Sequence, residues 1–303
     1  VLKRFNSVWK SDEFLNYALP HYYELQDLLQ KRIIEAIPIY RILNSNREQN
    51  EWVVACSKLT LQKYFNNKLI SGEKYRGIKA PFKFGEVKNT AKVDSKTLIN
   101  SYIKKIIPNQ YFDCKLDYDK VEFNPDGISY QGIKAKKIVF CEGFQNIFNP
   151  FFNYLPLIGS KGEMLVIKCD QLKEKVIFKG PIFLSPIGKK KFWVGATFNR
   201  FDKTTNVSED GNLWLRSKLE KFFDLPYQIL DHKAQIRATV IDRRPILGIH
   251  PKNNRLFILN GLGTRGVLMA PLLSHWLYEF IEKQYEFPIE VSIKRFEKKH
   301  YNY

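Results

Sequence analysis

The feature that most constrains this chain lies near its carboxyl end. The apolar run Arg255 to Leu259 reads as a buried strand and passes directly into Gly261-Leu262-Gly263-Thr264-Arg265-Gly266. Val267 to Ile281 then reads as a helix with Pro271 in its first turns. The glycines of a G-x-G-x-x-G turn allow positive φ and close backbone approach. The helix behind them aims unpaired N–H groups and about half a positive charge at whatever sits in front. Strand, glycine turn and helix in that order bind phosphates or flavins, and the same order also occurs as a tight turn with no ligand. Only 37 residues follow Gly266 (303 − 266). That is scarcely room for a dinucleotide βαβ unit with a ribose-binding acid on its next strand, so this turn is not expected to be the primary nucleotide site.

Elsewhere organisation comes from pattern. Phe14, Leu15, Ala18, Leu25, Leu28, Leu29 and Ile33 recur at helical spacing over residues 11 to 35, with Pro20 interrupting. Strands are expected at Ile37 to Leu43 and Trp52 to Cys56, around a hairpin-like Asn44 to Gln49 connection. Asp94 or Ser95 can cap a helix from Lys96 to Ile107 whose apolar face is Leu98, Ile99, Tyr102, Ile103 and Ile106. Asp113 to Phe123, Ile128 to Tyr130 and Lys137 to Cys141 read as a small sheet. Within it, Ile138-Val139-Phe140-Cys141 is the kind of run buried on both faces. Strands Met164 to Lys168, Ile182 to Ser185 and Lys191 to Gly195 follow, then a helix from Gly211 to Phe223. No repeat, low-complexity tract or Pro/Gly/Ser linker interrupts them. At roughly 150 residues per domain, the chain should hold about two interleaved domains.

Composition excludes several classes. The 44% hydrophobic and 15% aromatic content supports buried cores and excludes disorder. No apolar run approaches the roughly 20 residues a membrane helix needs. Cys56, Cys114, Cys141 and Cys169 are scattered without a C-x-x-C pair, which fits a reducing cytoplasm, and Cys141 is expected to be a buried, inert small residue. His21, His232, His250, His275 and His300 show no metal spacing, so no metal is expected. Neither a G-x-S-x-G elbow nor a Walker lysine loop occurs, leaving hydrolase and P-loop readings unsupported. The net charge, 49 − 31 = +18, fits a polyanion partner such as nucleic acid, a phosphorylated cofactor or an anionic membrane. A solvated lysine surface fits it better, since lysines are spread in short groups such as Lys189, Lys190 and Lys191. Position 1 is Val and the only methionines are Met164 and Met269, so the chain is expected to be processed or a fragment.

Asn260-Gly261-Leu262-Gly263-Thr264-Arg265-Gly266-Val267-Leu268-Met269-Ala270-Pro271-Leu272 closely resembles the C-terminal flavin motif of the D-amino-acid oxidase/glycine oxidase family. Other segments are similar in order and spacing. Ile236-Arg237-Ala238-Thr239, with Asp242, Pro245 and Gly248, resembles the family's Arg-Pro…Asp…Pro…Gly stretch, although Ala238 stands where a proline is usual. Lys161-Gly162-Glu163 resembles its Lys/Arg-Gly-Glu/Gln strand start. Ile138 to Gly143 resembles its strand ending in a small-residue turn, with Cys141 and Glu142 departing from Ala-Thr/Ser. The Gly-x-Gly-x-Arg-Gly form is also similar to the oxidase domain of the bifunctional enzyme that modifies the tRNA wobble uridine. The resemblance covers most of residues 85 to 282.

The resemblance implies an α/β plus α+β chain in which an incomplete Rossmann-like FAD-binding domain interleaves with a β-sheet-and-helix substrate domain. Residues 1–10, 91–158 and 237–303 would form the first, and residues 11–90 and 159–236 the second. In the family an N-terminal strand, G-x-G-x-x-G and helix hold the FAD diphosphate. Lys3-Arg4-Phe5 resembles the stretch directly after that unit, so roughly 30 or more preceding residues, the size of a βαβ unit, are expected to be missing. FAD contacts implied in this way are Lys3, Arg4, Tyr118, Cys141, Glu142, Gly143, Gly261, Leu262, Gly263, Thr264, Arg265, Gly266 and Val267.

The activity implied is oxidation of a CH–NH bond of an amino acid or N-substituted glycine by hydride transfer to flavin. Arg237 corresponds to the family's carboxylate-binding arginine, whose planar fork can hold both oxygens, and Arg265 is a second catalytic candidate beside the turn. Arg243 and Arg244 read as structural or surface residues. A neutral substrate amine can deliver hydride directly, so no histidine base is required. The expected partner is a small carboxylate-bearing amine. Two alternatives stand beside this reading: an oxidase of the carboxymethylaminomethyl group on a tRNA wobble uridine, and a basic nucleic-acid-binding module that has lost flavin.

Overall fold

The computed structural model describes residues 9–173 and 175–296. Helix α1 (Ser11–Leu29) leads into strands β1 (Ile34–Ala36) and β2 (Ile39–Ile42), helix α2 (Asn46–Ser57), strands β3 (Phe84–Val87) and β4 (Ala91–Val93) and helix α3 (Ser95–Lys105). Strands β5 (Glu122–Asn124), β6 (Gly127–Tyr130), β7 (Ile133–Ala135) and β8 (Ile138–Phe140) follow, then β9 (Leu157–Lys168), β10 (Ile177–Lys179), β11 (Phe183–Gly188) and β12 (Lys191–Gly195). Helix α4 (Glu209–Leu219), strands β13 (Gln228–Val240), β14 (Ile246–His250) and β15 (Asn253–Asn260), and helix α5 (Gly266–Lys283) complete the order. It is a mixed α/β fold. No described helix is long and apolar enough to cross a membrane.

The chain divides into two units. The first comprises residues 9–11, Arg32–Asp94 and Lys161–Ile236, and the second Asp12–Lys31, Ser95–Ser160 and Arg237 onward. Helix α1, grouped by sequence with residues 11–90, belongs instead to the second unit. Its Phe14 ring packs 6.1 Å from Trp276 of α5, and its Tyr22 hydroxyl donates to the Val267 carbonyl at 2.7 Å.

The first unit is built on a seven-stranded sheet in the order β13-β9-β12-β11-β10-β2-β3. One face buries Tyr40, Ile42, Phe84, Leu165, Ile167, Phe178, Leu184 and Val194 against Leu215, Leu219, Phe222 and Phe223, the apolar side of α4 and the turn after it. The second unit holds a sheet β14-β15-β8 and a meander β5-β6-β7. Phe140, Phe152, Val240, Ile246, Leu256, Ile258 and Ile293 fill its core.

Several sequence expectations need correction. Trp52 to Cys56 is helix, not the second strand of a hairpin. Ser45 caps α2 by accepting from the Glu48 N–H at 3.1 Å, and the Glu48 carboxylate accepts from the Asn44 N–H at 2.9 Å, so Ser-x-x-Glu acts as a helix start. Asp113 to Phe123 is mostly irregular, with a short 3-10 turn at Tyr118–Lys120 before β5. Helix α3 forms as expected but buries no residue. Val139 is 43% exposed although read as buried on both sides, and among the described residues β8 pairs with β15 alone.

Candidate functional site

The second unit brings two turns to the same edge. Strands β8 and β15 run parallel in the register Leu256–Ile138, Phe257–Val139 and Ile258–Phe140, so both finish at one end of the sheet. Ligands of open α/β sheets collect outside these carboxyl ends. Past β15 comes Gly261 (φ +74), where a Cβ would stand 2.4 Å from Val240 Cγ2. Gly263 (φ +56) follows, and its N–H donates to the Ala238 carbonyl at 2.8 Å. Gly266 has ordinary backbone and opens α5. Past β8 comes Gly143 (φ +58), in front of which a Cβ would meet nothing within 4 Å.

Asn260 joins the two turns. Its side chain is buried; Nδ2 donates to the Gly143 carbonyl at 2.8 Å and Oδ1 accepts from the Gly261 N–H at 2.7 Å. A buried amide with both ends satisfied fixes its neighbours' backbone. Asn260 stands in the sequence motif without an implied role of its own. The available signal was a polar residue ending an otherwise apolar strand.

The helix behind the turn starts at Arg265, which caps α5 without a side-chain hydrogen bond. Its first-turn N–H groups therefore form an electropositive tip of the kind that receives anionic ligands. Arg265 is partly buried, and desolvation together with nearby Arg244 pulls its pKa down. Arg237 is partly buried near the end of β13 and is likewise pulled down by burial. Its strand is coupled to the glycine turn, since Thr239 bridges to Leu262 and Ala238 accepts from Gly263. Thr264 and Val267 are exposed and Leu262 is partly buried.

Beyond β8, the Tyr118 hydroxyl donates to Glu142 Oε1 at 2.5 Å, and Asn149 Nδ2 donates to Glu142 Oε2 at 2.7 Å. Burial, and then the bond to Glu142, push the Tyr118 phenol well above its ordinary range. Cys141, expected to be buried, is exposed in the turn that follows β8. Although its surface is exposed, desolvation by the protein around the sulfur, and then Glu142, push its thiol pKa up. Lys3 and Arg4 lie outside the described residues. Among the described residues no cluster could hold a metal ion.

Lys161 and Glu163, the strand-start residues of the sequence motif, fall in the first unit and form a buried ionic cluster. Lys161 is 1% exposed; its Nζ lies 2.6 Å from Asp202 Oδ2 and 3.5 Å from Glu163 Oε1. Glu163 accepts from the Ser208 N–H (2.9 Å) and hydroxyl (2.7 Å) at the start of α4. His232 Nε2 stands 2.9 Å from Glu163 Oε2, the oxygen that also accepts from the Ser208 N–H. Desolvation works to raise the Glu163 pKa, but the Ser208 bonds and Lys161 bring it below the usual carboxylate value. Lys161 holds Asp202 down to about 2.

The family profile described as FAD dependent oxidoreductase (DAO) matches residues 91–280, well over half of the chain. The chain belongs to this family, whose members bind FAD. Its fold is similar to that of glycine oxidase from Bacillus cereus (TM-score 0.71, 16% identity, 90% of this chain and 81% of that one). It is also similar to iminodiacetate oxidase from Chelativorans sp. BNC1 (TM-score 0.74, 15% identity, 96% and 86%) and to L-proline dehydrogenase from P. horikoshii (TM-score 0.73, 14% identity, 100% and 87%). Among curated sequences, the tRNA 5-methylaminomethyl-2-thiouridine biosynthesis bifunctional protein of Marinobacter nauticus is 23% identical over 191 residues, covering 54% of this chain and 30% of the relative. The protein of the same description from Caulobacter sp. is 38% identical over 89 residues, covering 27% and 15%. The chain thus spans less than a third of these relatives' lengths.

The residues present fit one side of FAD. The Gly143 turn faces open space, Gly261 and Gly263 hold the second turn in the left-handed region, and the uncapped tip of α5 with Arg265 suits an electron-accepting ring that gains negative charge on reduction. Among the described residues no further strand–glycine turn–helix provides a diphosphate cradle.

Proposed function

We propose that this chain forms part of an FAD-dependent enzyme that oxidises the CH–NH bond of an amino acid or N-substituted glycine. In this reading the second unit is a Rossmann-like FAD-binding domain and the first is the substrate domain. The observation that carries it is the Gly263 N–H to Ala238 carbonyl bond of 2.8 Å, which ties the turn before α5 to the strand bearing Arg237.

FAD, when bound, supplies the hydride acceptor. The α5 tip stabilises negative charge beside the turn. Cys141, Glu142, Gly143 and the Gly261 to Val267 turn would hold the cofactor, with Tyr118 keeping Glu142 in place through its hydroxyl. Arg237 pairs with the substrate carboxylate through its planar fork and so orients the carbon beside nitrogen. Arg265 is the second cation, placed to meet substrate or ring. Substrate binds with its amine neutral, so its lone pair assists loss of the hydride and no protein base has to act.

The test is steady-state kinetics of the full-length protein with sarcosine and with a related amine lacking the carboxylate. Arg237→Ala is expected to raise KM for sarcosine by tenfold or more and leave the decarboxylated amine little affected. An unchanged KM removes Arg237 from this role.

A second reading takes the carboxymethylaminomethyl group of a tRNA wobble uridine as substrate, itself an N-substituted glycine. The curated relatives carry tRNA modification in their descriptions, and the +18 charge suits phosphate contacts.

A further inference from the structure

One edge of the seven-stranded sheet concentrates the positive charge of the chain. Residues 58–88 carry eight basic side chains against two acidic, 8 − 2 = +6, a third of the net +18 in 31 of 303 residues. From residue 64 they fold as a hairpin along β3, the last strand of that sheet. The Lys88 N–H donates to the Tyr64 carbonyl at 2.7 Å, the Asn66 N–H to the Glu86 carbonyl at 3.0 Å, and Ile70 and Phe84 exchange bonds of 2.9 Å. The tip is tied to the turn after α4. There the Lys79 N–H donates to the Phe222 carbonyl at 2.8 Å and the Asp224 N–H to the Gly77 carbonyl at 3.1 Å. The Phe65 ring stacks on Trp52 of α2 at 4.3 Å, so arms and tip are all held in place.

Lys68, Lys74, Arg76, Lys83 and Lys88 are exposed along this hairpin, and among the described residues none of them pairs with a carboxylate. Lys79 differs, standing 3.6 Å from Asp224. The Glu86 carboxylate is engaged by Asn66 Nδ2 at 2.6 Å. On other surfaces lysines sit beside acids, as Lys190 does beside Asp170 (3.1 Å) and Lys283 beside Glu279 (2.9 Å). An isolated edge lysine discourages strand addition. Five cations without carboxylates on one hairpin repel one another, a cost that a bound polyanion removes.

The neighbouring side chains select the kind of polyanion. Gln62, Asn67, Ser71 and Asn89 are exposed between the cations, and amides and hydroxyls of this kind bind phosphate and sugar oxygens. No large apolar side chain is exposed between residues 60 and 90. The surface therefore lacks the apolar face that seats an element on a membrane and the aromatic anchors of a protein interface.

We propose that the hairpin 62–89 is an RNA-docking surface, on which Lys68, Lys74, Arg76, Lys83 and Lys88 hold backbone phosphates without reading bases. The proposal rests on the tRNA reading above and adds to it the surface that takes the RNA.

The test is filter binding of a tRNA transcript by the full-length protein. The triple variant Lys68→Gln/Lys83→Gln/Lys88→Gln is expected to bind at least tenfold more weakly at about 100 mM salt, and to lower the slope of log Kd against log salt by about 2. Lys189→Gln/Lys190→Gln/Lys191→Gln, equal in charge removed and placed at the β11–β12 turn, should change affinity less than about threefold. In the unmodified sequence, saturating tRNA should slow acetylation of Lys68, Lys83 and Lys88, read by mass spectrometry, and leave Lys189 and Lys190 unaffected. Equal losses in the two triple variants, or unslowed acetylation at Lys68, Lys83 and Lys88, overturn the surface while the tRNA reading stands. No binding of tRNA even at low salt removes both. Tighter binding to phosphatidylserine vesicles than to tRNA, lost in the first variant, assigns the hairpin to a membrane instead. Should that variant not fold, the acetylation pattern decides alone.

Discussion

At the residue scale, the three glycines of the motif do different work. Gly261 needs its left-handed backbone and the space beside Val240, whereas Gly266 has neither requirement and its nearest Cβ contact would be Leu262 at 3.7 Å. Gly261→Ala is expected to cost about 2 kcal/mol in urea unfolding, against less than ~0.5 kcal/mol for Gly266→Ala. Equal losses would contradict this division. Lys179 gives a pH prediction. Its native pKa near 8 lies below the ordinary 10.5, so between these values the unfolded chain binds more protons and stability rises with pH. The full penalty is present below pH 8. Lys179→Met should therefore raise stability near pH 7, by about 1 kcal/mol or more, and flatten the rise between pH 8 and 10. An unaltered stability curve would show that the ammonium is not desolvated. Spacing made the glycine turn legible, but the amide that joins it to Gly143 was not, because Gly143 lies 117 residues earlier.

At the element scale, the start of α4 depends on a buried acid brought from β9. Glu163→Gln leaves Lys161 short of a counter-charge and is expected to cost about 3 kcal/mol in chemical denaturation. A loss below ~0.5 kcal/mol would mean that Asp202 alone suffices. Asp202, at about 2 against its ordinary 3.8, contributes stability that is complete above pH 4 and is lost as pH falls toward 2. Asp202→Asn should remove that part of the acid transition. Elements with strong local signals were legible in the sequence: β12 spans Lys191–Gly195 as expected, and α5 follows its glycine turn with Pro271 inside. The failures were contextual. The apolar Trp52 to Cys56 run looked like a strand until Ser45 and Glu48 are read as a capping pair. Val139 reads as buried because its neighbours are apolar, whereas nothing described covers its face of β8 well enough to bury it.

At the scale of the whole molecule, the +18 charge distinguishes the two substrate readings. If a tRNA is the partner, affinity should fall steeply with salt, by tenfold or more between 50 and 200 mM for several phosphate contacts. Filter binding that is weak and insensitive to salt would favour the small amine. The central claim is that the two turns joined by Asn260 and the tip of α5 face a flavin. The most direct measurement is the visible spectrum of the full-length protein purified with FAD, followed anaerobically as sarcosine or glycine is added. A bound-flavin spectrum that bleaches with substrate is the predicted result. A protein that stays colourless in the presence of excess FAD would contradict the account.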